Sequence, residues 1–446
     1  MGRVCVLNVV GLTPGLLGLG TPNLSKLGTA VPMAGVLPAV TCTAQATLLT
    51  GLPPSRHGIV GNGWFDRERG EVVSWHQSNR LMAGEKLYEA ARRAGKTTAK
   101  LFWWFNRGAD VDASVTPLPF YGSDGSKEFG IDGTPSGLAA ELERRLGKFP
   151  FHGFWGPKAG IDSTAWIARA AVETLKLQRP DLLLVYLPHL DYDLQRHGLA
   201  AGPRAAAEVD REAGLVIDAA RNDGMTVVVV SEYGLVPVSK PVHVNRLLRE
   251  RGWLAVRDGP YGEMLDPFKS TAFAVADHQV AHVYVRGDVG EVRERLAGLE
   301  GVARVLDEAG KREVGLDHPR SGDLVLLAKP DAWFTYYYWV DDRRAPDFAR
   351  TVDIHRKPGY DPCELFVDPG LAFPSLRLAG RLAQKKLGFR YRMDVVPLDA
   401  TVVRGSHGLA AAELKQGPVF ISTAVGQGPV SMAEFKGYVL GHLSQA

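Results

Sequence analysis

Three short, predominantly apolar runs constrain the fold more than any other feature of this sequence. They are residues 3–10, 181–187 and 225–230. Apolar runs of this length without polar alternation are typical of parallel strands that are covered on both faces. The intervening stretches 163–178 and 203–221 have helical periodicity, and helices that alternate with strands indicate parallel βαβ units. The sequence therefore predicts an α/β protein with a mostly parallel central sheet and helices on both faces.

Composition narrows the class of protein. The 446 residues allow one large domain or two to three ordinary ones, and 45% hydrophobic with 23% charged residues is usual for a globular protein. The net charge of +3 is too small to indicate a nucleic-acid polymer or a membrane as partner. The first apolar run is short and broken by Asn8 and Gly11, so we interpret it as a strand and not as a signal peptide. We expect a cytoplasmic protein with a small-molecule substrate.

The stretch 271–328 departs from the alternating pattern and predicts a small inserted α+β domain. Its predicted elements form a βαββ series, namely a strand at 274–285, a helix at 290–299, and strands at 302–307 and 323–327. We place the inserted domain at residues 259–332. The core domain then consists of residues 1–258 and 333–446.

One stretch, residues 37–65, has hydroxyl groups at a helix start. Residues 44–50 have the small and apolar composition of a buried helix, and Pro38 disfavours an earlier beginning. Thr41 and Thr43 therefore lie at or just before a helix N-terminus, where amide N–H groups and the helix dipole favour an anion. Either threonine could instead serve only as a helix cap.

This stretch resembles the nucleophile segment of the alkaline phosphatase superfamily, in particular its phosphodiesterase/nucleotide pyrophosphatase branch and phosphonoacetate hydrolase. In those proteins a nucleophilic threonine lies nine residues before a Thr-Gly pair, and counting back from Thr50 gives Thr41. The other matching residues are Pro54, His57, Gly58, Ile59 and Asn62. The resemblance implies that Thr41 is the nucleophile, with Thr43 as the second choice. It also implies that Asn62 contacts the transferred phosphoryl group.

The residues after the second apolar run allow two alignments with the family. In the relatives an Asp-x-x-Gly-His-x-x-Gly motif supplies an aspartate and a histidine to one metal ion. Matching its last glycine to Gly198 selects Asp191 and puts Gln195 at the histidine position. Keeping an Asp-x-x-x-His pair selects Asp193 with His197 instead. We prefer Asp191 as the ligand and retain His197 as a replacement partner.

Further implied ligands follow the other strands. The segment Gly-Ser-His-Gly that contains His407 matches a family motif whose histidine binds the same metal as Asp191. Glu232 and Tyr233 stand where the relatives have Asp-His, and Asn8 stands near the end of the first strand, where they have Asp. A mixed oxygen and imidazole donor set suits Zn²⁺, with Mn²⁺ or Mg²⁺ as alternatives. The resemblance thus implies one or two divalent ions.

The function that the resemblance implies is a metal-dependent phosphoester hydrolase that forms a phosphothreonine intermediate. A phosphonate hydrolase of the same chemistry is the nearest alternative. Because three ligand positions differ from the family pattern, a non-catalytic homologue that binds phosphoesters is a third hypothesis. The resemblance covers residue 3 to about residue 422.

Three features stay open between a binding role and ordinary packing. Residues 106–160 are rich in glycine, proline and aromatic residues, as in a substrate-binding loop. Residues 353–361 contain many ionisable groups, including His355 and Asp361, which could complete an anion or metal site or form a salt-bridged loop. Alternation along the predicted strand places His278 and His282 on one face, as ligands or as packing residues. The aromatic candidates for ring stacking are Trp103, Trp104, Phe105, Tyr121, Phe154 and Trp155.

Overall fold

The fold was analysed in a computed structural model that describes residues 2–123, 126–389 and 391–445. The strands are β1 (Val4–Val9), β2 (Val31–Pro32), β3 (Gly63–Asp66), β4 (Glu71–Ser74), β5 (Thr98–Leu101), β6 (Ala113–Tyr121), β7 (Lys127–Thr134), β8 (Leu182–Leu187), β9 (Thr226–Val230), β10 (Val236–Pro237), β11 (Lys240–Val242), β12 (Val256–Gly259), β13 (Gly262–Leu265), β14 (Ala272–Asp277), β15 (Val280–Val285), β16 (Val302–Leu306), β17 (Leu324–Ala328), β18 (Ala332–Phe334), β19 (Gly405–Ser406) and β20 (Val419–Ser422).

The α-helices are α1 (Pro22–Ser25), α2 (Thr41–Thr50), α3 (Pro54–His57), α4 (Leu87–Arg93), α5 (Leu138–Leu146), α6 (Ile161–Gln178), α7 (His189–His197), α8 (Gly202–Asn222), α9 (Val244–Glu250), α10 (Val289–Ala297), α11 (Glu308–Glu313), α12 (Pro374–Lys386) and α13 (Phe435–Leu443). No helix within the described ranges is both long and apolar enough to cross a membrane.

The central sheet has the strand order β2-β20-β9-β1-β8-β5-β6-β7. The pairs from β9 to β6 are parallel, and the outer strands β20 and β7 run antiparallel to their neighbours. Helices α6 and α8 pack against one face, while α4 and α13 contact the sheet from the other. The predicted α/β class with a mostly parallel sheet is therefore confirmed, and β1 and β8 are completely buried as their unbroken apolar sequences require.

A second, antiparallel sheet has the order β14-β15-β17-β16 and carries α10. The single strand predicted at 274–285 is wrong. It is a hairpin, because the chain turns at His278, which has a φ of 58° in the left-handed region. The two histidines therefore do not share a strand face. The bounds of the inserted domain, 259–332, stay a prediction, since this sheet shares its hydrophobic core with flanking segments.

The region 106–160 is more ordered than a binding loop. Strands β6 and β7 form a long antiparallel hairpin that pairs from Ser114 and Thr134 out to Tyr121 and Lys127. Only the first three residues of β6 also pair with β5. Pro117 and Pro119 hid this strand in the sequence, because proline is rare inside sheets, and here both lie where β6 has left β5.

Candidate active site

The candidate site lies beyond the carboxyl ends of β1, β8 and β9, which are adjacent in the middle of the sheet. Open parallel sheets bind ligands at this edge, where the strand order reverses on either side of β1. Asn8 is the fifth residue of β1, while Asp191 and Glu232 follow β8 and β9. All three side chains are buried. The fold therefore brings together residues that are more than 200 positions apart in the chain.

Helix α2 presents the predicted nucleophile. It begins at Thr41, whose Oγ1 is 2.9 Å from the hydroxyl oxygen of Tyr233 and which lines a large cavity. The Thr41 hydroxyl also interacts with the Glu232 carboxylate. Thr43 is completely buried in the same helix and does not line the cavity. The geometry therefore favours Thr41 over Thr43 as the residue that meets a ligand.

Asn62 is held directly beside Thr41, the candidate nucleophile. Its Oδ1 accepts the Cys42 N–H at 3.0 Å, so it contacts the amide that follows Thr41. Asp277, in the hairpin turn of the inserted sheet, accepts from both the backbone N–H and the Nδ2 of Asn62 at 2.7 and 3.0 Å. Burial raises the pKa of Asp277 to about 7 against the effect of these two hydrogen bonds. Both ends of the Asn62 amide are thus fixed.

Glu232 accepts hydrogen bonds from two amide side chains. Asn8 Nδ2 and Gln45 Nε2 both donate to its Oε1, at 2.6 and 2.7 Å. Its Oε2 is buried and has no partner among the described residues. Burial raises the pKa of Glu232 to about 8, and the neighbouring Asp191 charge acts in the same direction. Gln45, one helical turn after Thr41, was missed in the sequence although the i, i+4 spacing places it on the same face of α2.

Asp191 lies beside His407, the histidine of the Gly-Ser-His-Gly motif. His407 Nε2 lies 3.6 Å from Asp191 Oδ1, which has no hydrogen-bond partner among the described residues. His407 Nδ1 is 2.7 Å from the Ala39 carbonyl, so this nitrogen carries the proton and Nε2 keeps its lone pair. Burial raises the pKa of Asp191 to about 7 and lowers that of His407 to about 3. Gln195 Nε2 donates to Asp191 Oδ2 at 2.7 Å.

The structure favours the alignment that selects Asp191. Residues after β8 form helix α7, so Asp191 and Gln195, four residues apart, share one face. Asp193 points to the other side and pairs with Arg204 at 2.6 Å. His197 is exposed at the end of α7, whereas Asp191 and His407 are buried, and its role as a replacement ligand stays a prediction. Gln195 takes that position.

The hairpin turn of the inserted sheet contributes His278, which the sequence left open between a ligand and a packing residue, and Gln279, which the sequence did not predict for the site. The His278 ring lies 3.6 Å from the His407 ring and 3.8 Å from the Tyr360 ring, measured between centroids. Gln279 N–H donates to the His407 carbonyl at 3.0 Å. Tyr360 hydroxyl donates to Gln195 Oε1 at 2.8 Å. Reading 274–285 as one strand concealed this turn, although its Asp-His-Gln sequence between two apolar runs marks a turn.

These donors fit a divalent cation. Among the buried side-chain oxygens without a partner in the described structure, three belong to the site, namely Asn8 Oδ1, Asp191 Oδ1 and Glu232 Oε2. Together with the lone pair of His407 they form a set of hard oxygens and one imidazole, which suits Zn²⁺, Mn²⁺ or Mg²⁺. Two buried carboxylates without a nearby Lys or Arg partner also call for positive charge. Asp191 Oδ1 and His407 Nε2 lie 3.6 Å apart, which is close enough for both atoms to bind one ion.

A cavity of about 2300 Å³ opens above Thr41, Asp191 and His407. Aromatic side chains line much of it, including the predicted Trp104, Tyr121, Phe154 and Trp155. Trp103 and Phe105 are buried in the core instead. The cavity wall is also basic, with side chains from Arg80, Arg107, Lys127, Lys158, Arg343, Arg356, Arg381 and Arg392. Such a wall favours an anionic ligand with apolar or aromatic parts.

Two open features prove structural. Lys357 is buried and forms salt bridges of 2.5 and 2.7 Å with Asp361 and Glu364, so part of the ionisable stretch 353–361 is a salt-bridged loop, while residues 353–356 and Tyr360 line the cavity. His282 Nε2 donates to the Val60 carbonyl at 2.9 Å, away from the cavity. Neither Asp361 nor His282 lines the cavity.

The sequence model of the type I phosphodiesterase/nucleotide pyrophosphatase family matches residues 4–361. The chain belongs to this family. The predicted membership is thereby confirmed, and the family is metal-dependent in general.

Among curated proteins, a member of this family from Schizosaccharomyces pombe, an uncharacterized pyrophosphatase/phosphodiesterase, is 28% identical over 255 residues. That match covers 53% of this chain and 43% of the relative, so less than half of the relative's length is spanned.

Two solved structures share the fold. Phosphonoacetate hydrolase from Sinorhizobium meliloti, in complex with phosphonoformate, superposes with a TM-score of 0.60 at 18% identity, over 100% of this chain and 96% of the other. Murine ectonucleotide pyrophosphatase/phosphodiesterase 5, an inactive threonine-to-alanine variant in complex with AMP, gives a TM-score of 0.61 at 15% identity over 100% and 96%. Both confirm the alkaline phosphatase-like architecture of this family member.

Proposed function

We propose that the protein is a metal-dependent phosphoester hydrolase in which Thr41 forms a phosphothreonine intermediate. The observation that carries the proposal is the position of the Thr41 hydroxyl. It lies at the start of α2, lines the cavity and adjoins the Glu232 carboxylate and the Asn62 side chain. In support, the murine relative solved with AMP is an inactive threonine-to-alanine variant.

The chain supplies a base for the attack. A threonine hydroxyl is a weak nucleophile until its proton is removed. Glu232 lies beside the Thr41 hydroxyl, and its pKa, which burial raises to about 8, suits acceptance of a proton at mildly alkaline pH when no cation occupies the carboxylate. The Thr41 Oγ1–P bond then forms while the bond from phosphorus to the leaving oxygen breaks. Water later cleaves the phosphothreonine and regenerates the hydroxyl.

The donors that meet the phosphoryl oxygens are Asn62 Nδ2 and the Cys42 N–H. Asn62 Nδ2 has two hydrogens, and Asp277 accepts only one of them. The Cys42 N–H now donates to Asn62 Oδ1, so a phosphoryl oxygen must replace that acceptor on binding. Fixed donors aimed at developing charge are among the largest contributions to catalysis.

Asp191 and His407, with Glu232 and Asn8 nearby, are the residues that would hold a divalent cation. Such an ion supplies Lewis-acid polarisation of a phosphoryl oxygen and lowers the pKa of the attacking group. Asp191 must be ionised to bind it, and the raised pKa of Asp191 means that this ionisation accompanies binding.

The test compares Thr41→Ala with Thr43→Ala in the hydrolysis of an aryl phosphodiester. Both substitutions remove a hydroxyl from the first turn of the same buried helix, so Thr43→Ala controls for effects on folding. We expect turnover to be lost in Thr41→Ala and retained in Thr43→Ala. Trapping ³²P-labelled or mass-shifted Thr41 peptide from quenched wild-type reactions would identify the intermediate. Full turnover by Thr41→Ala would refute the assignment.

A second candidate function is binding without hydrolysis. The observation that favours it is the pair of amide donors, from Asn8 and Gln45, that occupies Glu232 Oε1. Those donors compete with a cation for the carboxylate. Phosphodiester binding by calorimetry, with no turnover in the presence of Zn²⁺, Mn²⁺ or Mg²⁺, would favour this second candidate. A phosphonate substrate is separated from a phosphodiester by direct comparison of their rates.

A further inference from the structure

Helix α12 and the residues around it place several exposed large apolar side chains in one short segment. The exposed side chains are Phe373, Leu376, Leu382, Leu387 and Phe389, each between 49% and 70% accessible. A cluster of large apolar side chains on a protein surface marks an interaction site more often than an isolated one does. The element packs so lightly that the surface remains open along its length.

The same segment is strongly basic. Residues 369–393 contain six Lys and Arg residues and no Asp or Glu. The first acidic residue after it, Asp394, is buried and pairs with Arg377, Arg381 and Arg392. One carboxylate therefore pairs with three guanidinium groups, and the segment keeps a net positive charge.

Apolar and basic side chains are separated around α12. Leu376, Ala379 and Ala383 follow one another at spacings of three and four residues and form one stripe. Arg377 and Arg381 are four residues apart and form another stripe, which faces Asp394. A helix with a basic stripe beside exposed leucines, flanked by exposed phenylalanines, is the arrangement found in helices that lie in the interface of a membrane.

A second element on the same cavity has the same character. The β6–β7 hairpin exposes Phe120, Tyr121 and Phe129 at its outer end. Lys127 Nζ lies 5.5 Å from the Tyr121 ring centre and 4.8 Å from that of Phe129. This hairpin and α12 both contribute to the lining of the cavity. Two separate parts of the chain thus place aromatic or apolar groups together with basic groups around one opening.

We propose that α12, assisted by the β6–β7 hairpin, docks the protein on the surface of an anionic lipid bilayer. The apolar side chains enter the headgroup region and the Lys and Arg side chains pair with acidic headgroups. The protein lies on the bilayer and does not span it. The net charge of +3 is a sum over the whole chain and therefore conceals the local concentration of positive charge around α12. The proposal does not depend on the proposed hydrolase activity.

Charge favours an anionic bilayer over two other ways to cover α12, namely a second copy of the chain and closure of α12 over the cavity. A second copy that packed through the same face in a two-fold contact would oppose like charges. Closure of α12 over the cavity would also bring Arg381 and Arg392 towards the other basic side chains of the wall, such as Arg356 and Lys158. An anionic lipid surface complements both the charge and the apolar groups.

The experiment is flotation of the full chain with vesicles of phosphatidylcholine alone or with about 30% phosphatidylglycerol. We expect at least about 10-fold more bound protein on the anionic vesicles than on the neutral ones. The amount bound to anionic vesicles should fall when salt is raised from about 0.1 M to about 1 M, because salt screens the charges. Leu376→Gln/Leu387→Gln should lower binding by at least about 10-fold. Neither leucine lines the cavity. Leu215→Gln/Leu414→Gln, which alters leucines that are 48% and 59% exposed elsewhere, should bind as the wild type does.

Several results would overturn the proposal. These are absence of wild-type binding to anionic vesicles, equal binding of neutral and anionic vesicles, and unaltered binding by Leu376→Gln/Leu387→Gln. A concentration-dependent dimer that this double variant abolishes, without vesicle binding, would assign the surface to a second copy. Thermal unfolding establishes that each variant is folded. If the double variant does not fold, the single change Lys386→Glu, with Lys415→Glu as its control, decides the charge part of the proposal.

Discussion

Glu232 makes the stability of the metal-free protein depend on pH in a direction that can be worked out. Its pKa is raised from 4.5 to about 8 in the folded state. Between these values the folded state holds a proton that the unfolded state has lost, so the free energy of unfolding falls as pH rises. From about pH 5 to about pH 7.5 the contribution amounts to a loss of about 3 kcal/mol. Glu232→Gln removes this dependence, because glutamine does not titrate.

The assay is urea unfolding of wild type and Glu232→Gln in the presence of a chelator, followed by tryptophan fluorescence at both pH values. The amide oxygen that the substitution introduces can still accept from Asn8 and Gln45, and any pH-independent cost of the substitution cancels when the change with pH is compared. We expect the gap between the two proteins to shift by about 3 kcal/mol in favour of the variant as pH rises. Glu413→Gln, at an exposed site, should leave the gap unchanged. Parallel curves for wild type and Glu232→Gln would refute the reasoning.

Saturating Zn²⁺ or Mn²⁺ should reverse the sign of this difference. A cation binds the ionised carboxylate and stabilises the folded state, and it does so more at high pH than at low pH. Wild type should then gain stability relative to Glu232→Gln at about pH 7.5. The absence of any cation effect on either protein would support the binding-protein alternative.

Three further predictions concern other groups of the site and its support. Asn62→Ala should lower kcat for an aryl phosphodiester by about 10²–10³-fold. Asp277→Asn should lower kcat by up to about 10²-fold, with less effect on KM, because Asp277 only orients Asn62. Equal kcat in wild type and both variants would contradict this prediction. His407→Ala should lower the cation content found by elemental analysis, while His197→Ala at the exposed helix end should not; the reverse order would exclude His407 as a ligand. Lys357→Met should cost ~3–5 kcal/mol in urea unfolding because it leaves two buried carboxylates without their cation, and a cost below ~1 kcal/mol would show that those groups are not ionised.

The sequence predicted those parts of the fold that are written in local patterns. The apolar runs of β1, β8 and β9 identify buried parallel strands, and the polar residues that follow them lie at one edge of the sheet as expected. The helical periodicity of 163–178 and 203–221 agrees with α6 and α8 to within one or two residues at each end. Asn8 and Glu232 meet because β1 and β9 are adjacent parallel strands.

Other parts depend on contacts between distant segments and could not be read locally. The alignment around Asp191 stayed open because it depends on whether residues 189–197 form a helix, and only the helix separates Gln195 from His197. The strand β6 contains two prolines that are tolerated only because β6 extends beyond β5. The role of Asp277 depends on a hydrogen bond between residues 215 positions apart, for which the sequence carries no signal.

The turn between β14 and β15 connects the inserted sheet to residues of the candidate site. Asp277 holds Asn62, which adjoins the nucleophile, and two residues later Gln279 holds the backbone of His407. A single tight turn therefore sets the distance between the attacking side and the cation side of the site. Grafting a different inserted domain into this scaffold, as domain exchange in evolution or engineering would do, would reset both sides at once. Variation in this insert should accordingly change the rate of turnover, even where it lies far from the substrate.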